Sequence, residues 1–119
     1  MAKDSFKLQP EDIKDLLPPM GFCLVSNQIT IDGMPVGYMY REQPYEYVEK
    51  EKAREDNDTG WRFLSGNETD EYLDNPGNSK FFSVNVVANY DPAIIPYVKM
   101  PIGTELERLP DSDEFVPVS

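Results

Sequence analysis

Residues 59–76, TGWRFLSGNETDEYLDNP, contain the feature around which the rest of the chain is arranged. The apolar and aromatic run at 61–64 includes the only tryptophan, Trp61, and predicts a short strand. Because tryptophan and phenylalanine bury large areas, we expect this strand to lie in the core. A turn at 65–67 follows, and the acidic segment 68–74 after it is predicted to be the functional surface of the protein.

A short helix is predicted near the N-terminus. Residues 10–12, PED, suit its start, because proline fits the first helical position and acidic residues stabilise the positive end of the helix dipole. Ile13, Leu16 and Leu17 follow at helical spacing and form one apolar stripe. The prolines at 18–19 should end the helix, because the residue before a proline is disfavoured in the helical conformation.

Residues 21–26, GFCLVS, and 36–41, VGYMYR, are predicted to pair as a β-hairpin. The first run is apolar on both faces, which is typical of an interior strand, and residues 29–31 continue or follow it. Asp-Gly at 32–33 is a strong turn signal between the two runs. In the returning strand, alternation puts the two tyrosines on one face.

The remaining elements are predicted from proline and glycine positions and from the alternation of apolar residues. Residues 43–58 form either a long charged loop or a surface helix. Residues 80–84 predict a strand and residues 85–90 a helix. A second short helix is predicted at 93–98, after an Asp-Pro pair that suits a helix start. The alternating residues 104–109 predict the last strand.

The length of 119 residues indicates one domain, 1–119, with a single modest core. The order of the elements predicts an α+β fold, a mostly antiparallel sheet of about five strands with short helices on one face. Residues 1–8 and the acidic, proline-containing tail 111–119 are predicted to be flexible.

Charge and composition restrict the partners and the compartment. The net charge is −11 and the pI is about 4.3, so we expect neither nucleic acid nor a membrane surface as a partner, but a basic or neutral one. No apolar run approaches the roughly 20 residues of a membrane helix, and the N-terminus lacks the apolar core of a signal peptide. A single cysteine fits a reducing interior, so a cytoplasmic location is predicted.

Composition also argues against catalysis. The chain contains no histidine, which excludes Ser-His-Asp and Cys-His arrangements, and its one cysteine leaves no zinc ligand set. Cys23 lies in the most apolar run and is predicted to be a buried structural thiol. Residues 56–60, DNDTG, resemble a calcium loop, but aligning their glycine puts Gly66 where a bidentate glutamate is needed. We therefore expect a protein that is not an enzyme and that has no metal or cofactor.

The candidate partner-binding residues lie in a strongly acidic stretch. Residues 42–74 hold eleven acidic and four basic residues, a net charge of −7. The candidates are Glu68, Asp70, Glu71, Asp74, Tyr45 and Tyr47. The tyrosines are candidates because exposed tyrosines often anchor interfaces. Two alternatives stay open for the carboxylates, a surface that only improves solubility and an acid–base pair for hydrolysis. For Trp61 and Phe63 the alternative to core packing is an aromatic binding platform.

An ordered set of short motifs connects the chain with a known family. The motifs are Gly37-Tyr38-Met39-Tyr40-Arg41-Glu42, Gly60-Trp61-Arg62-Phe63, Asp70-Glu71-Tyr72 with Asn75-Pro76, and Ala88-Asn89-Tyr90-Asp91-Pro92 with Ile94-Ile95-Pro96. Over residues 21–106, the sequence resembles the bacterial immunity protein 33 family, formerly a domain of unknown function. The resemblance implies an α+β domain that is encoded near polymorphic toxins in some genomes and neutralises one, with no catalytic residues to carry over.

Three functions are therefore compared. In the first, an immunity protein binds a basic toxin through its acidic face, where complementary charge speeds association. In the second, a stand-alone cytoplasmic module uses the same surface for another partner. The third is a small hydrolase, which needs carboxylates that converge in a pocket. We rank them in this order, and the sequence makes no prediction of an oligomeric state.

Overall fold

The structure, a computed structural model, describes residues 6–44 and 58–118. The strands in these ranges are β1 (Phe22–Ser26), β2 (Tyr38–Arg41), β3 (Asp58–Leu64), β4 (Ser79–Ser83), β5 (Glu105–Arg108) and β6 (Phe115–Pro117). The α-helices there are α1 (Asn27–Thr30), α2 (Asp70–Asp74) and α3 (Val84–Tyr90). Short 3-10 helices span Pro10–Asp12, Pro76–Asn78 and Pro92–Tyr97.

The strands form one mixed sheet in the order β4-β1-β3-β2-β5-β6. Only β1 and β3 are parallel, and the other neighbouring pairs are antiparallel. The prediction of an α+β fold is confirmed, although the sheet has six strands rather than about five and is not purely antiparallel. Six of the seven residues of β3 are buried, as a strand at the centre of a sheet requires.

The predicted hairpin between residues 21–26 and 36–41 is wrong, because β3 lies between β1 and β2. The residues after β1 instead form α1, capped by the Ser26 hydroxyl, which accepts a hydrogen bond from the Gln28 amide at 3.1 Å. Gly33, at a φ of 79°, ends this turn by donating its amide to the Ile29 carbonyl. The Asp-Gly signal therefore closes a helix, a role that glycine fills as well as a hairpin turn.

The helix predicted over Ile13, Leu16 and Leu17 is also wrong. The 3-10 helix Pro10–Asp12 is the only helical part of this segment, and Ile13 already has an extended conformation. The proline and the acidic residues mark the start of a helix correctly, but the chain leaves the helical conformation after one turn.

Two asparagines of α3 explain this departure, because they bind the backbone that the predicted helix would have used. The Asn85 Oδ1 atom accepts hydrogen bonds from the amides of Leu16 and Leu17, at 2.8 and 2.9 Å. The side chain of Asn89 accepts from the Lys14 amide and donates to the Lys14 carbonyl, both at 2.9 Å. These bonds satisfy the backbone without a helix.

The later elements agree with their predictions. The strand predicted at 80–84 is β4, and the helix predicted at 85–90 is α3, with the Ser83 hydroxyl as its cap. The Asp-Pro pair does start a helix, the 3-10 helix Pro92–Tyr97, and its cap Asp91 accepts from the Ala93 amide. Caps depend on neighbouring residues only, which is why sequence patterns locate them well.

Trp61 and Phe63 are core residues, which confirms the first interpretation of this pair. Both are fully buried, and their rings stack with centroids 5.8 Å apart. The Trp61 indole donates to the Val98 carbonyl at 2.8 Å, and the Arg41 guanidinium lies 5.7 Å from the centroid of the indole ring. Buried side chains of α1, α3 and the 3-10 helix Pro92–Tyr97 pack into this same core.

Two boundaries differ from the predictions. Asp58, assigned to the charged segment 43–58, is a buried residue of β3, and residues 45–57 of that segment lie outside the described ranges. The predicted tail 111–119 contains β6, which pairs with β5. The flexibility of 1–8 and 111–119 concerns motion and stays a prediction. Within the described part of the chain, no helix has the length and apolar character to cross a membrane.

Candidate functional site

The acidic segment is a short, well-capped helix. The Thr69 hydroxyl accepts a hydrogen bond from the Tyr72 amide at 3.0 Å, so threonine caps α2. Asp70 and Glu71 occupy the first turn, where the helix dipole favours negative charge. A chain with these residues in this order therefore folds locally into a helix that carries its own acidic groups.

Three predicted partner-binding residues, Asp70, Glu71 and Asp74, lie exposed on α2. Leu73, in the same helix, is 40% exposed, so an apolar side chain lies among the carboxylates. The structure thus brings these three acidic residues together on one exposed element, beside a leucine that sequence reasoning did not select.

Glu68 has a different role. Its carboxylate accepts hydrogen bonds from the amides of Ser65 and Gly66, at 2.9 and 3.0 Å. Burial by itself raises the pKa of the Glu68 carboxyl, but hydrogen bonds from the Ser26 side chain and from these amides outweigh burial, so the pKa is lowered. The Glu68 carboxylate therefore holds the turn between β3 and α2 in place through these hydrogen bonds.

The bonds of Glu68 predict a pH-dependent contribution to stability. Because its pKa is lowered in the folded state, the contribution is fully present above the ordinary value of 4.5 and is lost as the pH falls through the lowered pKa. We expect Glu68→Gln to lower the free energy of unfolding by about 1 kcal/mol at pH 7, since the group is partly solvated. The difference should vanish in strong acid.

Urea unfolding at pH 7 and at low pH would measure this difference. Glu71→Gln is the matched control, because Glu71 is exposed and its change should stay within about 0.5 kcal/mol. An equal loss for both variants would contradict the role assigned to Glu68.

The outer face of the sheet carries further polar and aromatic groups that were not predicted as a site. Tyr38 of β2 lies opposite Leu64 of β3 and Glu107 of β5, and Tyr40 lies opposite Glu105. The rings of Tyr38 and Tyr40 are 5.6 Å apart. Alternation in the sequence put the tyrosines on one face, but only strand pairing brings the glutamates beside them.

The Tyr38 hydroxyl acts as a hydrogen-bond donor. It donates a hydrogen bond to the Glu105 carboxylate. Burial, this hydrogen bond and the Glu105 charge raise the pKa of Tyr38 well above its usual value. Tyr38 therefore stays protonated, and the negative charge at this edge belongs to Glu105 and to the exposed Glu107.

An open groove joins the outer face of the sheet to α2. Its lining includes Tyr38, Leu64, Gly66, Glu68, Leu73 and Glu107. The groove therefore has apolar side chains from β3 and α2 and carboxylates from two different elements. Tyr45 and Tyr47, the remaining predicted partner-binding residues, lie outside the described ranges.

The arginines of the described residues make intramolecular contacts. Arg41 donates to the carbonyls of Thr59 and Met100, at 2.9 and 2.7 Å. Arg62 pairs with Asp58 and Glu42, and Arg108 pairs with Asp91 and Asp113. The positive charge of these arginines is therefore neutralised or held close to the core. The exposed basic residues in the described ranges are the lysines Lys7, Lys14, Lys80 and Lys99, which are fewer than the exposed acidic residues.

Cys23 is a buried thiol, as its sequence context predicts. It is fully buried, and its Sγ atom donates to the Phe82 carbonyl at 3.3 Å. Burial raises the pKa of Cys23 far above its usual value. The thiol is therefore protonated and inert, and it packs in the core beside the Asp58–Arg62 pair. Within the described ranges, no group of three or more metal-ligating side chains is close enough to hold an ion.

A family model described as the Immunity protein Imm33 domain matches residues 23–119. The chain belongs to this family. The resemblance noted in the sequence is confirmed, and the match extends through β6. No curated protein and no solved structure matches the chain. Membership in the Imm33 family implies a non-enzymatic immunity role in which the protein binds a cognate toxin.

The Imm33 motifs coincide with positions on which the fold depends. Gly60 of β3 lies so close to the residue that follows β2 that a Cβ atom there would be 2.0 Å from the Glu42 carbonyl oxygen. Asp91 accepts from the Val36 amide at 2.9 Å and from Arg108 at 2.6 Å, and so ties α3 to the sheet. These residues maintain the scaffold, whereas the acidic residues Asp70, Glu71 and Asp74 of α2 are exposed.

Proposed function

We propose that this Imm33 protein is a non-catalytic cytoplasmic immunity protein that neutralises a basic toxin by binding it through an acidic surface. The observation that carries the proposal is the exposed row Asp70, Glu71 and Asp74 on α2, beside the exposed Glu107 of β5. The immunity role is inferred from the family, and the basic character of the toxin is inferred from the acidic charge of this surface.

The charge arrangement supports a basic rather than a neutral target. Because the described arginines pair with acidic groups or carbonyls of the same chain, their positive charge is not directed at the carboxylates of α2. A basic nuclease-type toxin would carry the opposite charge on its own active surface, where it binds phosphates. Blocking that surface would neutralise the toxin without any chemistry in the immunity protein.

The proposal predicts fast, salt-sensitive association. Exposed charges attract over about 8 Å at physiological ionic strength, so the acidic surface should steer the toxin at low salt and lose this effect at high salt. In the double variant Asp70→Lys, Glu71→Lys, the sign of the steering charge is reversed on α2. We expect its association rate to fall about tenfold or more at low salt.

The test uses the product of the neighbouring gene as the candidate toxin, with rates measured at low and high salt. The matched control, Glu11→Lys with Asp15→Lys, changes the net charge equally at exposed residues of the N-terminal segment, outside the family match. A fall confined to the α2 variant supports the proposal. Equal rates for wild type and the α2 variant remove α2 from the interface. If no neighbouring product binds, the stand-alone binding module replaces the immunity function.

A further inference from the structure

The groove beside α2 combines apolar and acidic side chains in its lining. Leu64 of β3 and Leu73 of α2 contribute its apolar surface, and Gly66 contributes backbone without a side chain. Leu73 is 40% exposed on its five-residue helix. Tyr38 also lines the groove. A concave surface lined by apolar side chains and a few polar groups is typical of a binding site.

The carboxylates that line the groove favour a positively charged side chain as its occupant. Glu68 and Glu107 line it, and Glu107 is exposed. Arg108 is the one basic residue among the described residues that line the groove, but its three guanidinium nitrogens donate to Ser112, Val36, Asp91 and Asp113. Arg108 therefore offers no counter-charge to Glu107.

We propose that this groove receives an arginine side chain of the toxin, with the aliphatic stem against Leu64 and Leu73 and the guanidinium toward Glu107 and the Tyr38 ring. This inference rests on the proposed function and names the anchor of the same surface. Arginine combines an apolar stem with a planar, weakly hydrated cation that stacks on aromatic rings and pairs with carboxylates.

Other occupants fit the lining less well. An aliphatic side chain would fill the space between Leu64 and Leu73 but would remove water from Glu107 without giving it a partner, which is costly. An acidic side chain would be repelled by Glu68 and Glu107. A cationic side chain satisfies both the apolar walls and the charge, and large anchors seated in pockets carry most of the energy of an interface.

Leu73→Ala separates the pocket from the charge steering, because it changes no charge. The test measures binding of the neighbouring gene's product to wild type and variant. We expect dissociation to become about tenfold faster while the association rate and its salt dependence stay unchanged. Leu16→Ala is the matched control, since Leu16 is 42% exposed on the N-terminal segment and should alter neither rate. Glu107→Gln should also speed dissociation.

The outcomes distinguish this inference from the proposed function. If the α2 charge reversal slows association but Leu73→Ala dissociates like wild type, the groove is not the anchor and the immunity function stands. If Leu73→Ala speeds dissociation and Leu16→Ala does not, the anchor is supported, whatever the charge reversal does. If both leucine variants dissociate faster, the effect is not specific to the groove and the inference is overturned. If no neighbouring product binds wild type, both proposals fail.

Discussion

Replacing Trp61 with alanine should destabilise the domain by about 3–5 kcal/mol, enough to unfold much of a population of so small a protein. Trp61 is fully buried, and its ring stacks on Phe63 and lies under the guanidinium of Arg41. Truncation would leave a cavity at the centre of the sheet. It would also leave the Val98 carbonyl without the indole donor that now lies 2.8 Å away.

Urea unfolding followed by circular dichroism would measure this loss. Ile102→Ala is a suitable control, because Ile102 is 50% exposed and its truncation should change stability by less than about 0.5 kcal/mol. A Trp61→Ala protein with a normal unfolding midpoint would show that the core does not depend on this residue. If Trp61→Phe lowers the free energy of unfolding less than Trp61→Ala does, the volume of the side chain matters more than the indole hydrogen bond.

The second large effect concerns the buried ion pair of β3. The side chains of Asp58 and Arg62 are 0% and 2% exposed, and two carboxylate–guanidinium bonds of 2.8 and 2.9 Å join them. Asp58→Asn would leave a buried guanidinium without its main counter-charge. We expect a loss of about 3–5 kcal/mol, because removing one partner of a buried ion pair costs more than the pair itself contributes.

Glu42→Gln is the internal control for this prediction. Glu42 also pairs with Arg62, at 2.6 Å, but its side chain is 39% exposed, so water can replace much of its contribution. We expect its loss to be about 1 kcal/mol or less. The double variant Asp58→Asn, Arg62→Met should be more stable than Asp58→Asn alone, because it removes the charge as well as its partner. A double variant that is less stable than the single one would contradict this account of the pair.

The scaffold and the proposed recognition surface use different residues. The scaffold depends on the buried residues Trp61, Asp58 and Arg62, whereas the proposed binding residues on α2 are exposed. Changes to Asp70, Glu71 and Leu73 should therefore alter binding rates without altering folding. A variant of α2 that lowered stability as much as Trp61→Ala would instead make α2 a structural element.

Local patterns in the sequence were sufficient for several features. The strand at Trp61, the helix α3 and the Asp91–Pro92 start of the following 3-10 helix were all predicted, because strand propensity and helix caps act between residues a few positions apart. The exposure of Asp70, Glu71 and Asp74 also follows locally, since carboxylates avoid burial without a partner. The family motifs identified the domain.

Tertiary contacts decided the rest. The strand order, which puts β3 rather than β2 beside β1, depends on pairings between distant segments that no local signal specifies. Residues 13–17 looked helical, but the hydrogen bonds that hold Lys14 come from Asn89, 75 residues later in the chain. The groove likewise exists only because the fold brings Leu73 of α2 near Tyr38 and Glu107, which are distant from it in sequence. Alternation shows which face a side chain takes, but only the paired strands decide what lies beside it.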